Sequence, residues 1–339
     1  MAITARELAE ALGVSTATVS IALNGKKGIS EEKRKMILDA AEQHGIRRDA
    51  RRSVSSKLIN LVVYKKHGKV YGDTAFFSSL MDGIASQIAD SGYRLQLSYF
   101  YASQDPEEQW RSILSSGTAG LIILATEMLE EDFPVFANSP IPVVMLDADL
   151  RNASYDCVTI NNIQGVGLAV NYLLDNGHRR LGYLCSSVTI PNFNERRLGY
   201  KIAIDTSPYR NECTSMEIPV GSTPETAYED MTRFLDNNKE ELPTAFFADN
   251  DIIANSCIRA LKQHGYRLPD DISIVGFDNT SSNALISPAL TSINVPKVYM
   301  GRYAVETLIS RLEQNEETPT ARHSINTTLV TRDSVKKIG

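Results

Sequence analysis

From Leu58 onward, short apolar runs alternate with helix-patterned segments, and this alternation limits the fold more than any other feature of the chain. LINLVVY, residues 58–64, is a near-continuous apolar run of strand length, the pattern of a strand buried on both faces of a parallel sheet. AFFSSLMDGIASQIADSG reads as a helix that stops at Gly92. Strand YRLQLSYF, helix PEEQWRSILSSG, strand AGLIILA, a helix after Met128 and strand PVVMLD continue the series. A second series follows: a helix over 162–177, strand RLGYLC, a helix from Asn194, a helix over 226–235, strand TAFFA, a helix over 251–265 and strand ISIVGFD. Such alternation specifies βαβ units, hence parallel sheets with helices on both faces. Two series predict two similar α/β subdomains, with a ligand held between the loops at the carboxyl ends of their strands. The tail adds strand TSIN, helix MGRYAVETLISRLE and a last strand near Thr327–Thr331, expected to cross back and complete both sheets.

The first 57 residues are different in kind. LAEALGVSTATVSIALNG begins as a helix, breaks at Gly13 and begins again at Ser15. Ala9 is small enough for a second helix to cross close above it. Gly13 can take the positive φ that the turn needs, and Ser15 suits an N-cap. Val14 and Val19 fill the wedge, with Leu8, Leu12 and Leu23 beneath. The outer face of the second helix then carries Thr16, Ala17, Thr18, Ser20 and Ile21, short side chains that can lie flush in a major groove. This is a helix-turn-helix pattern, although a plain helical hairpin uses the same turn logic. SEEKRKMILDAAEQHG reads as a third helix capped by Ser30 and stopped by Gly45, with Met36, Ile37, Ala40 and Ala41 at helical spacing.

The charge balance divides the same way. Residues 1–57 carry 11 Lys and Arg against 7 Asp and Glu, whereas the rest carries 24 against 34. A small basic head can approach phosphates, and the acidic remainder is repelled by them. The densest basic stretch, RRDARRSVSSK, lies where a linker would join the two. No apolar run approaches the ~18 residues of a membrane span. Arg6, Glu7 and Glu10 do not fit a signal peptide, and the four widely spaced cysteines fit neither a metal site nor a disulfide framework. A cytoplasmic location is the expectation. No nucleophile–base pair, phosphate loop, dinucleotide fingerprint or metal cluster is legible, so no catalytic residue, metal or cofactor is assigned and a non-enzyme is expected.

ELAEALGVSTATVSIALNG, ISEEKRKMILDAAEQHG, NGHRRLGYL, ERRLGY, DNDIIA, LPDDISIVGFDN and PALTSINVP together resemble the LacI/GalR family of transcriptional regulators over essentially the whole chain. The resemblance implies a homodimer whose paired heads read a near-palindromic operator duplex. It also implies a small effector between the subdomains that either releases DNA or promotes binding. By the same resemblance Thr16, Ala17 and Ile21 match base-reading positions, and Ser15, Thr18, Ser20 and Asn24 match phosphate-contacting ones. Ala17 and Ile21 replace longer polar residues; they can touch thymine methyls but cannot make bidentate hydrogen bonds to a base. Packing within the head is an equal reading of Ile21. In the hinge, Ser55 stands where the family wedges a leucine between base pairs. Either Val54 is a smaller wedge, or the linker acts through Arg51 and Arg52.

Arg196 matches a ligand-contacting position of the family, with Asn192 and Phe193 in the loop before it. Asp147, Asn250, Asp251 and Asp278 end strands, where polar groups converge on a switch-point cleft. Phe76 and Phe77 open a helix and could stack on a sugar ring. Helix capping for the aspartates and core packing for the phenylalanines are the competing roles. The organisation expected is therefore an all-α head at residues 1–46, a basic hinge at 47–57, and a periplasmic-binding-protein-like α/β domain at 58–339. Its N-subdomain covers about 58–160 and 293–322, its C-subdomain about 161–292 and 323–339. The function expected is a sequence-specific repressor controlled by a carbohydrate-like effector, with no membrane partner. A coregulator of the same architecture responding to a small molecule or a protein is the alternative. A solute-binding protein fits less well, for want of a signal peptide.

Overall fold

The computed structural model describes residues 5–23, 28–43, 57–70, 74–150, 154–313 and 318–338. The expected contacts of Asn24, Arg51, Arg52 and Val54 lie outside these described residues. The head is three helices: α1 (Ala5–Ala11), α2 (Thr16–Leu23) and α3 (Glu31–Gln43). Gly13 takes φ +62° in the turn between α1 and α2, where a Cβ would be strained. Ser15 caps α2 by accepting the Thr18 N–H at 3.1 Å, and Ser30 caps α3 through the Lys33 N–H at 3.3 Å. Leu8, Ala9, Val19, Ala22, Ile37 and Ala41 form a small core, with Leu12, Val14, Ile29 and Ala40 half-buried around it. Met36, expected on the core stripe, is instead exposed. The buried stripe of α3 runs through Ile37 and Ala41, four residues apart, and leaves Met36 to one side.

The larger domain is built on two six-stranded sheets. In chain order its elements are β1 (Leu58–Lys65), α4 (Thr74–Ser91), β2 (Arg94–Tyr101), α5 (Pro106–Ser115), β3 (Gly120–Leu124), β4 (Val143–Leu146) and β5 (Asp156–Ile160). Then come α6 (Asn162–Asp175), β6 (Arg180–Ser186), α7 (Pro191–Asp205), β7 (Thr214–Val220), α8 (Pro224–Asn237), β8 (Ala245–Ala248), α9 (Asp251–Gln263) and β9 (Ser273–Asp278). The chain ends with β10 (Thr291–Asn294), α10 (Lys297–Glu313), β11 (Arg322–Ile325) and β12 (Thr328–Val330). The first sheet runs β11-β5-β4-β3-β1-β2 and the second β12-β10-β9-β8-β6-β7. All pairings are parallel except that of β12 with β10.

Three connections join the subdomains: β5 to α6, β10 to α10, and β11 to β12. Strand pairing moves two of the expected boundaries. Thr291–Asn294 pairs with β9, so the crossing follows Asn294 rather than residue 292. Arg322–Ile325 pairs with β5, so the last crossing follows Ile325 rather than residue 322. Strands β5, β7 and β11 were not legible as strands, and the helix expected after Met128 is a 3-10 segment over Glu130–Phe136.

Candidate functional site

Four strand ends meet across the gap between the sheets: Thr126 after β3, Asp147 after β4, Asn250 after β8 and Asp278 at the end of β9. The amino-terminal turns of two helices close the sides, α4 with Phe76 and Phe77, and α7 with Asn192, Phe193 and Arg196. Val70 and Ile190 complete the cleft. The backbone is unusual here. Asp147, Asp278 and Asn279 have φ of +65°, +103° and +49°, left-handed values that non-glycine residues adopt at a cost and that cluster at binding sites.

Arg196 is the centre of the site. It is buried, its guanidinium carbon 3.8 Å from the centroid of the Phe277 ring and 5.6 Å from that of Phe193. Its Nε donates to Asn162 Oδ1 at 2.9 Å, one Nη to the Asp249 carbonyl, and the other pairs with Asp278 Oδ1 at 3.5 Å. Asn162 donates in turn to Asn192 Oδ1 at 2.9 Å and to Glu195 Oε2 at 2.8 Å. Asn192 reaches across the cleft, donating to the Asp147 carbonyl at 3.0 Å and to its Oδ1 at 3.1 Å. Thr126 donates to the other Asp147 oxygen at 2.6 Å. One hydrogen-bonded network thus joins the two subdomains.

Burial pushes the Asp147 carboxyl up to about 6, against the opposing pull of the Thr126 hydrogen bond, the Arg196 charge and the Asn192 hydrogen bond. Asp249 is also pushed to about 6 by burial, although the Ser186 N–H, Tyr183 and Arg196 oppose the shift. Both groups therefore titrate close to neutrality. Lys297, at the start of α10, donates to the Asp278 carbonyl and lies 5.7 Å from the Phe76 ring centroid. The arrangement presents carboxylate acceptors, a fixed guanidinium and an amide donor between aromatic edges, a set suited to a small polyhydroxylated molecule.

Of the nine residues expected to contact an effector, eight line this cleft: Phe76, Phe77, Asp147, Asn192, Phe193, Arg196, Asn250 and Asp278. Asp251 does not. Its fully buried carboxylate accepts from Ser292 Oγ at 2.6 Å, Asn283 Nδ2 at 2.7 Å and the Thr280 N–H at 2.8 Å, so it ties α9 to the segments flanking β9 and β10. Helix capping falls to neither Asp251 nor Asp278: Asn250 Oδ1 caps α9 through the Ile253 N–H at 2.9 Å. Val70, Thr126 and Ile190 were missed. Thr126 ends a strand as Asp147 does, and the same rule would have found it.

In the head, Ser15, Thr16, Ala17 and Ser20 are exposed along one side of α2, while Thr18 and Ile21 are half-buried. Thr18 Oγ1 lies 2.8 Å from Ser15 Oγ. Among the described residues no group of three or more His, Cys, Asp or Glu could hold a metal, and no helix is long and apolar enough to cross a membrane.

Residues 4–49 match the family described as bacterial regulatory proteins, lacI family, and residues 170–335 match the periplasmic binding protein-like domain. The HTH-type transcriptional repressor PurR of Mannheimia succiniciproducens is 31% identical over 342 residues, covering 99% of each chain. Among solved structures, the complex of the transcriptional regulator CelR with cellobiose superposes with a TM-score of 0.70 at 23% identity, over 98% of this chain and 99% of that one. The lac repressor dimer bound to operator and the anti-inducer ONPF gives 0.70 at 20% identity, over 99% and 100%.

Proposed function

The chain belongs to the lacI family of bacterial regulatory proteins, and on that premise we propose that it is a DNA-binding transcriptional repressor whose operator affinity is set by a small carbohydrate held between its subdomains. The observation that carries the reading is the network from Arg196 through Asn162 and Asn192 to Asp147. It places carboxylate acceptors for hydroxyl groups where the two subdomains meet, so a ligand there contacts both and biases their relative position. The cellobiose bound by CelR supports the carbohydrate class. Thr16, Ala17 and Ser20 face outward for base and phosphate contact, and Ile21 is half-buried beside them.

A homodimer is part of the proposal. Leu97, Tyr99 and Tyr101 alternate along β2, the edge strand of the first sheet, and remain 37–46% exposed. Leu285, 86% exposed, adds a second apolar point in the other subdomain. Such side chains favour burial against a second copy.

Selection from a random duplex pool with the full chain, followed by fluorescence anisotropy, tests the reading. Near-palindromic duplexes should be enriched, one sugar of a mono- and disaccharide panel should shift the affinity, and deleting residues 1–57 should abolish binding. Binding that survives the deletion would overturn the DNA assignment. Failure of every sugar to shift it would overturn the carbohydrate assignment.

A further inference from the structure

Glu127 is wholly buried beside the cleft and has no part in the network centred on Arg196. Its Oε2 accepts three consecutive backbone N–H groups, from Lys66 at 2.9 Å, His67 at 3.1 Å and Gly68 at 2.9 Å. Its Oε1 accepts the Val70 N–H at 3.1 Å and lies 3.0 Å from His67 Nδ1. The Lys69 N–H, the one left over, goes to His67 Nδ1 at 3.1 Å. Gly68, at φ +71°, permits the curl that brings these donors together.

The segment from Lys66 to Val70 forms no helix or strand, and His67, Gly68 and Lys69 are exposed. A segment of this kind ordinarily turns its N–H groups to water and samples many conformations. Here a single carboxylate collects four of them. Val70, in the same segment, lines the cleft wall. On the other side, Thr126 precedes Glu127 in the chain and holds Asp147. The end of β3 therefore organises two walls of the cleft with consecutive residues. Lys66 Nζ fastens the outer side of the loop to Glu131 and Asp132, both at 2.9 Å.

We propose that Glu127 is a positioning residue of the effector site: its carboxylate clamps the 66–70 loop into the wall that carries Val70, and so sets effector affinity without touching the effector. The affinity part rests on the cleft being the effector site; the clamp itself does not. Preorganising a wall before binding removes an ordering cost that a loose loop would impose on every binding event.

Backbone amide exchange on the full-length chain tests the clamp without any ligand. In the wild type, the amides of residues 66, 67, 68 and 70 should exchange more slowly than that of Lys69, despite lying in an exposed loop. In Glu127→Gln, which keeps the shape but turns one acceptor into a donor, exchange at those four positions should rise about tenfold or more. Strand β1 and the second subdomain should be unchanged. Lys66→Ala, which removes only the outer ion pairs, should leave the protected pattern in place. Titration with ribose, glucose and cellobiose then reads the effect on affinity, and any sugar bound by the wild type should bind Glu127→Gln about tenfold more weakly. Wild-type amides at 66–70 exchanging as fast as other exposed loops would overturn the clamp even if the variant fails to fold. So would a rise spread evenly over the domain. Equal sugar affinity in wild type and variant would overturn its role in binding. Should the wild type bind none of the three, the exchange pattern alone decides the clamp.

Discussion

Arg196 combines two demands that pull in opposite directions. It faces the cleft, yet its three nitrogens are already engaged with Asn162, the Asp249 carbonyl and Asp278. Removing it takes the guanidinium from Asp278 and the Nε donor from Asn162, both buried, so Arg196→Ala should destabilise the domain by about 3–5 kcal/mol in urea unfolding as well as weaken effector binding. The buried aspartates make a different prediction. Asp147, Asp249 and Asp251 are held near 6 by burial, against about 3.9 in an unfolded chain. Between those values the folded state keeps protons that the unfolded state releases. Stability from these groups therefore falls as pH rises from about 4 to about 6 and stays low above it. Asp147→Asn cannot titrate, so its melting temperature should fall less steeply over that window in scanning calorimetry; a slope equal to that of the wild type would refute the assignment. Most of the site was legible because polar residues at strand ends and the ERRLGY motif are local signals. Asp251 was misplaced because adjacent residues at a helix start face different ways: Asn250 caps α9 beside the cleft, and Asp251 turns into the core. The supporting roles of Asn162 and Glu127 are set by partners 30 to 61 positions away, which no local pattern records.

Helices α4 and α10 cross at glycines. A Cβ on Gly83 would lie 2.1 Å from the Val298 carbonyl oxygen, and one on Gly301 would lie 2.3 Å from that of Leu80. Both obstacles are backbone, so neither can rotate away. Gly83→Ala and Gly301→Ala should each force the helices apart and cost about 1–3 kcal/mol, measured by chemical denaturation. Gly167, with no atom near its hypothetical Cβ, should accept alanine without loss. Elements with a strong apolar period, such as α4 and β1, were legible because burial on a wide face imprints the sequence. The three strands that were not legible lack that imprint. β5 opens with Asp156, a buried carboxylate held by Arg311 at 2.6 and 2.9 Å and by the Ala321 N–H at 2.9 Å. β7 is an edge strand containing Pro219, tolerated where a ladder bond can be absent. β11, Arg-His-Ser-Ile, is another edge strand with half its face in solvent.

At the scale of the whole molecule, three crossings connect the two subdomains. Gln164 ties the last of them to α6, donating to the Thr327 carbonyl at 3.2 Å and accepting from the Thr327 N–H at 3.0 Å and Oγ1 at 2.9 Å. Asn161 joins Asn326 beside it at 2.9 Å. Gln164→Ala should raise the amide exchange of residues 326 and 327 and leave the two sheets intact; protection that stays unchanged would deny Gln164 this hold. The crossings also fix the order of birth. Proteins emerging from the ribosome usually complete their first domain before the next is made. Here neither subdomain can be finished in its turn. The first sheet waits for β11 and the second for β10 and β12, while Ser334, fully buried, bonds to the Ile274 carbonyl at 2.6 Å. A message broken before codon 320 would therefore yield two unfinished halves rather than one sound half and one missing, a product that quality-control proteases should clear.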